Sequence, residues 1–160
     1  MPEKLTFIDL FAGIGPFSIP IAKNNPEARI FSIDINPEAV EFLKKNIRLN
    51  RVDNNLVPLE GDARPLIKEH LTGIADRVIM NLPEKAKEFI SIACRAIKPK
   101  GGIIHYYEFI QDPDSIGEAQ DQFSQQVEKT GRIVDKFLFA KKIRETAPYQ
   151  YQVAFDFKIH

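Results

Sequence analysis

Four short segments hold side chains whose type and position suit ligand chemistry. The first is Asp9-Leu10-Phe11-Ala12-Gly13-Ile14-Gly15, an apolar run that ends in a carboxylate and a glycine-rich turn. Such a turn lets backbone approach a ligand closely, and a helix that follows it offers free N–H groups to anionic oxygens. The second is Asp34, which closes the next apolar run and can accept both hydroxyls of a ribose. Asn36-Pro37 already supplies a helix cap and a first helical residue, so Asp34 is spare for a ligand. The third is Asp62, just past the third apolar run, another acceptor. The fourth is Asn81-Leu82-Pro83. Its amide both donates and accepts, which suits the edge of a base, and its proline has no N–H to pair in a sheet.

The elements that must place these groups alternate strand, turn and helix, which predicts a parallel sheet covered by helices. Strands are expected over 5–11, 29–34, 55–59, 77–81 and 103–107, with two more over 133–139 and 152–159. Helices are expected over 17–24, 37–50, 85–96 and 115–130. In the second helix Val40, Leu43 and Ile47 recur at helical spacing among charges. The three acidic or glycine-rich sites then stand at the carboxyl ends of consecutive strands, the edge where open α/β sheets bind ligands.

The whole is expected to be one domain over 1–160, for 160 residues suit a single core. No apolar run spans a bilayer, and the opening Met1-Pro2-Glu3-Lys4-Leu5 has no leader-like apolar stretch. Cys94 is the only cysteine, so no intrachain disulfide forms; a reducing, cytoplasmic setting is expected. Net charge is zero, which argues against the domain as a whole being an RNA-binding surface. The run Lys141-Lys142-Ile143-Arg144 is the best local candidate for phosphates, with a solvated face as the plain alternative. No Cys/His set has zinc spacing, so no metal is expected, and no Gly-x-x-x-x-Gly-Lys loop occurs. His105, Tyr106 and Tyr107 read first as core residues of a strand.

The glycine turn departs from the dinucleotide fingerprint, because Ser18 stands where its third glycine would fall. A nicotinamide oxidoreductase, for which Asp34 would also serve, is weakened accordingly. The turn resembles instead the cofactor loop of class I methyltransferases. Taken with Asp34-Ile35-Asn36-Pro37, Asn81-Leu82-Pro83, Ile104-His105-Tyr106-Tyr107, Ala147-Pro148-Tyr149 and Asp156-Phe157-Lys158-Ile159, the chain is similar to the catalytic domain of the archaeal and eukaryotic tRNA (guanine-37-N1)-methyltransferases over nearly its whole length.

The resemblance implies a Rossmann-like, mostly parallel seven-stranded sheet with helices on both faces and an antiparallel last strand. It implies S-adenosylmethionine as cofactor, held by Asp9, Phe11, Gly13, Gly15, Asp34, Ile35, Asp62, Ala63 and Asn81. Asn81 and Pro83 are implied as the catalytic pair that places guanine 37 of the tRNA anticodon loop. Members of the family carry a substantial region ahead of the first motif, including a glutamate proposed as general base. Here Asp9 stands close to the start, so the tRNA-gripping domains are expected outside the chain or on a partner. A monomer with weak tRNA methylation on its own is expected. Glu84 and Glu108 are the nearest acids at the ligand edge. Two other outcomes stay open: a cofactor-binding domain without turnover, and the related wybutosine-pathway aminocarboxypropyl transferase.

Overall fold

The computed structural model describes residues 3–160; Met1 and Pro2, part of the opening read for a leader, lie outside them. Its seven-stranded sheet has the order β3-β2-β1-β4-β5-β7-β6. The strands are β1 (Thr6–Asp9), β2 (Arg29–Asp34), β3 (Leu56–Glu60), β4 (Arg77–Met80), β5 (Gly102–Ile110), β6 (Val134–Ala147) and β7 (Gln150–Ile159). β1 to β5 pair in parallel, and β7 runs antiparallel to both of its neighbours. The helices are α1 (Ser18–Asn24), α2 (Pro37–Leu49), α3 (Ala63–Leu66), α4 (Ile90–Ala96) and α5 (Ile116–Glu128). The expected mostly parallel sheet with an antiparallel last strand is therefore the fold. No helix among the described residues is long and apolar enough to cross a membrane.

Two apolar layers flank the sheet. Phe7, Ile30 and Leu56 pack under Ile19 and Ala22 of α1 and Leu43 and Ile47 of α2. Ile8, Val78, Met80, Ile104 and Tyr106 pack on the other face under α4 and α5, with Phe123 stacked 3.9 Å from Phe157. The alternation along β1 sends Phe7 and Ile8 to opposite layers, as a strand buried on both faces requires. α2 starts as expected: the Asn36 side chain accepts from the Glu38 N–H at 3.0 Å, with Pro37 first in the helix.

The structure departs from sequence expectation in four places. A short helix, α3, continues as a π-turn over Ile67–Leu71, a stretch for which no element was expected. Pro65 hid it, although proline is tolerated in a first turn, where no intrahelical N–H bond is lost. The helix expected over 85–96 is instead a 3₁₀ turn, Ala86–Phe89, followed by α4. β5 runs on to Ile110 and β6 to Ala147, well past the expected ends. Ala147 and Gln150 pair across a two-residue turn, with Pro148 leading and Tyr149 at φ +60°, the pattern of a type II turn.

Candidate active site

The carboxyl ends of β1, β2 and β3 meet at a loop held by backbone bonds from both sides. The Leu10 N–H donates to the Ile79 carbonyl at 3.0 Å and the Ala12 N–H to the Ile33 carbonyl at 2.8 Å. Gly13 follows at φ +56°, where an added Cβ would meet nothing within 4 Å. Gly15, at φ +100°, is different: a Cβ there would come within 2.8 Å of Leu43 and 2.9 Å of Ile19. The second glycine is thus needed for packing on α1 and α2, while the first leaves open space at the turn.

Asp34 ties the loop to its own strand. Its carboxylate accepts from the Gly13 N–H at 2.8 Å and from the Asn36 N–H at 2.9 Å. Each oxygen keeps a further lone pair for a ligand hydroxyl. Asp62 caps α3 by accepting from the Arg64 N–H at 2.9 Å, and the Arg64 guanidinium grips it at 2.7 Å. The Arg64 hydrogen bond holds the Asp62 carboxyl below the usual carboxylate range. Arg64 also lies 5.0 Å over the Phe89 ring, and Phe89 meets Phe11 edge-on at 4.8 Å.

These groups surround a cavity of about 270 Å³. Asp34 and Asp62 stand in its wall, while Phe11, Ile35, Ala63, Leu82 and Phe89 give it an apolar lining. An apolar slot with carboxylates at its margin fits a purine ribonucleoside: the ring is enclosed and the hydroxyls are accepted. Of the residues singled out in the sequence, Phe11, Asp34, Ile35, Asp62 and Ala63 line this cavity. Gly13 stands beside it through its bond to Asp34.

Asp9, Gly15, Asn81 and Pro83 are placed otherwise. Asp9 is buried under the loop and accepts from the Ser18 hydroxyl at 2.9 Å, while Ser32 donates to Ser18 at 2.6 Å. Burial pushes the Asp9 carboxyl up to about 6. Asn81 and Pro83 are half-buried just past the end of β4. The Asn81 side chain has no hydrogen bond within the described residues, which leaves its amide free for a base edge.

The sequence reading overlooked Arg64, Lys85, Glu88 and Phe89, all of which reach the cavity. Phe89 falls inside the helix expected over 85–96, and its sequence signal is its position after Asn81-Leu82-Pro83.

The two candidate acids for proton transfer differ. Glu84 is exposed, whereas Glu108 is buried and paired with Lys87 at 2.7 Å. His105 lies on the other face of β5, its Nδ1 2.7 Å from Asp156 and its Nε2 3.3 Å from the Arg77 guanidinium. A guanidinium only donates, so Nε2 accepts and Nδ1 carries the hydrogen toward Asp156. His105 is therefore a tied residue of an open sheet face rather than part of the cavity.

Residues 2–135 match the family model described as the TRM5/TYW2 methyltransferase domain. The chain is 43% identical over 157 residues to the tRNA (guanine(37)-N(1))-methyltransferase Trm5b of Pyrococcus abyssi, covering 98% of this chain and 44% of that protein. It is 33% identical over 157 residues to the tRNA(Phe) (4-demethylwyosine(37)-C(7)) aminocarboxypropyltransferase of Methanocaldococcus jannaschii, covering 98% of this chain and 60% of that protein. The solved structure of M. jannaschii TYW2 in complex with AdoMet superposes with a TM-score of 0.90 at 32% identity, covering 99% of this chain and 69% of that one. The chain spans about half the length of the curated relatives it matches.

Proposed function

Because the chain belongs to the TRM5/TYW2 methyltransferase family, we propose that it binds S-adenosylmethionine and transfers its methyl group to N1 of guanine 37 in tRNA. The observation that carries this reading is the cavity at the carboxyl edge, with Asp34 in its wall and Leu82, the neighbour of Asn81, in its lining, in a chain 43% identical to a guanine-37 methyltransferase. When bound, the cofactor supplies an electrophilic methyl on sulfur.

The chain's own residues supply placement. Asp34 accepts the ribose hydroxyls, and Ile35, Ala63 and Phe89 enclose the adenine. The Gly13 turn leaves room for the methionine part. Asn81 and Pro83 are the proposed catalytic pair: the amide orients the guanine edge while the proline fixes the turn that carries it. Holding donor and acceptor in line is worth several orders of magnitude in rate.

The reading extends to a monomer in the cytoplasm, with tRNA gripped by regions beyond these residues or by a partner. The greater length of the relatives supports that division of labour.

Calorimetry with S-adenosylmethionine and NAD side by side tests the cofactor. Binding of NAD alone would refute it. Transfer onto unmodified tRNA, with and without guanine at position 37, tests the target. The aminocarboxypropyl reading is favoured by the second relative and separates by product: it releases methylthioadenosine, whereas methyl transfer releases S-adenosylhomocysteine.

A further inference from the structure

The run Lys141-Lys142-Ile143-Arg144 finds no place in the cavity, yet the fold puts it somewhere specific. Through the strand register, Lys141 is level with Ala154 and Tyr107, and Lys142 with Val153 and Glu108. Met80, the last residue of β4, is level with Tyr106. The basic run therefore starts where Asn81 leaves the sheet and continues beyond it, on the same edge as the cavity. With three strand spacings between β4 and β6, its lateral offset is roughly 14 Å.

The run is exposed along its length, and Lys142 lies 4.7 Å over the ring of Tyr151. Tyr149, at the turn, is 80% exposed. From Lys136 to Arg144 the strand holds four cations and no acid, although the chain as a whole is neutral. Exposed cations beside an exposed aromatic ring offer phosphate contacts and a stacking surface together.

We propose that the outer half of the β6–β7 hairpin is an RNA-binding arm, with Lys141, Lys142 and Arg144 holding phosphates that flank the target nucleotide and Tyr149 offering a stacking surface. The inference rests on the tRNA reading above and adds the surface that orients the RNA. A base swung out toward Asn81 must carry its flanking backbone across the sheet edge, and this arm is a cationic run on that side, beyond Arg64 and Lys85 at the cavity itself. A second copy of the chain is a poorer occupant of the free β6 edge. Edge-to-edge pairing would crowd the cations of two chains together, and β6 carries four register shifts that interrupt a regular ladder.

The test uses the full 160-residue chain and an anticodon stem-loop RNA with guanine 37, followed by fluorescence anisotropy at several salt concentrations. The triple variant Lys141→Gln, Lys142→Gln, Arg144→Gln is compared with Lys44→Gln, Lys45→Gln, which removes charge from α2. Each lost phosphate contact lowers the salt slope by about 0.7 for single-stranded RNA. The triple variant is expected to lower it by about 2 and to weaken binding about tenfold or more at low salt, with cofactor affinity unchanged. The α2 pair is expected to leave the slope as it was. An unchanged slope in the triple variant overturns the arm alone. Failure of the unaltered chain to bind the RNA, with cofactor bound normally, overturns the arm, while the tRNA reading stands or falls on the transfer assay described above. A change in oligomeric state of the triple variant, with RNA binding intact, assigns the edge to self-association and overturns the proposal.

Discussion

β1 buries every residue from Thr6 to Asp9, whereas β6 leaves all its residues but Val134 exposed, although both belong to one sheet. Around β1 both faces are packed, by α1 and α2 on one side and by the layer that includes α4 on the other. Toward β6, the face of β5 and β7 that carries His105 and Asp156 is half-exposed. Phe137, Leu138 and Phe139 stay exposed near the start of β6. The comparison separates two uses of the same architecture. The buried half fixes the geometry of the cavity, and the open half presents side chains outward.

Substitutions ought to break these halves differently, and the largest effect belongs to the buried one. Gly15→Ala drives a methyl into Leu43 and Ile19 and requires a left-handed backbone from alanine. Overpacking and backbone strain together are expected to remove about 2–5 kcal/mol. Denaturant unfolding checks this, and a loss below about 1 kcal/mol would mean that the layer under α1 yields easily.

Asp9 gives the next effect, and it depends on pH. Its native carboxyl is raised to about 6 by burial, so the folded chain holds a proton there more tightly than the unfolded chain does. This group's contribution to stability therefore grows as pH falls from above 6 toward 4 and is lost as pH rises through 6. The full swing is about 3 kcal/mol, at 1.36 kcal/mol per pH unit of difference. Asp9→Asn should flatten that part of the stability profile and be at least as stable as the parent at pH 8, measured by urea melts at each pH. A profile unchanged between pH 4 and 7 would place the Asp9 carboxyl near its ordinary value.

Asp34→Ala is expected to weaken cofactor binding by about 1.5–3 kcal/mol, the range for hydrogen bonds to a charged group. It also frees the Gly13 and Asn36 N–H groups, so the loop should loosen. Calorimetry reads the first effect and amide exchange at Gly13 the second. Unaltered affinity would remove Asp34 from the site.

The smallest effect lies in the open half. Phe139→Ser is expected to change stability by no more than about 0.5 kcal/mol, as for surface positions in general. A loss above about 1.5 kcal/mol would show the start of β6 to be structurally tied, and the contrast between halves would fail.

The same contrast explains what could be read from sequence. β2 and the start of α2 were legible because an apolar run ending in Asp34 and an Asn-Pro cap are local signals. The cavity side of Asp34 was legible too, since a strand-end carboxylate beside a glycine turn has few other uses. The reach of β6 was not, because Lys141, Lys142 and Arg144 spoil the apolar alternation that marks a half-buried strand. Only pairing with β7 extends that strand to Ala147. The motif places Asp9 with the ligand groups, yet the hydroxyl chain through Ser18 and Ser32 turns it inward. That network joins residues distant in sequence, so no local pattern announces it. Phe89 became visible only when the 3₁₀ turn carried it against Phe11.

Cys94 sits in α4 at 1% exposure, and burial pushes its thiol up, away from the reactive thiolate. Being the only cysteine, it makes the folded chain slow to alkylate and each opened copy quick. An alkylating reagent therefore acts as a clock on the layer beneath α5, counting openings of α4 one molecule at a time. If cofactor and RNA are held by different halves of the sheet, saturating each in turn should slow that clock by different factors.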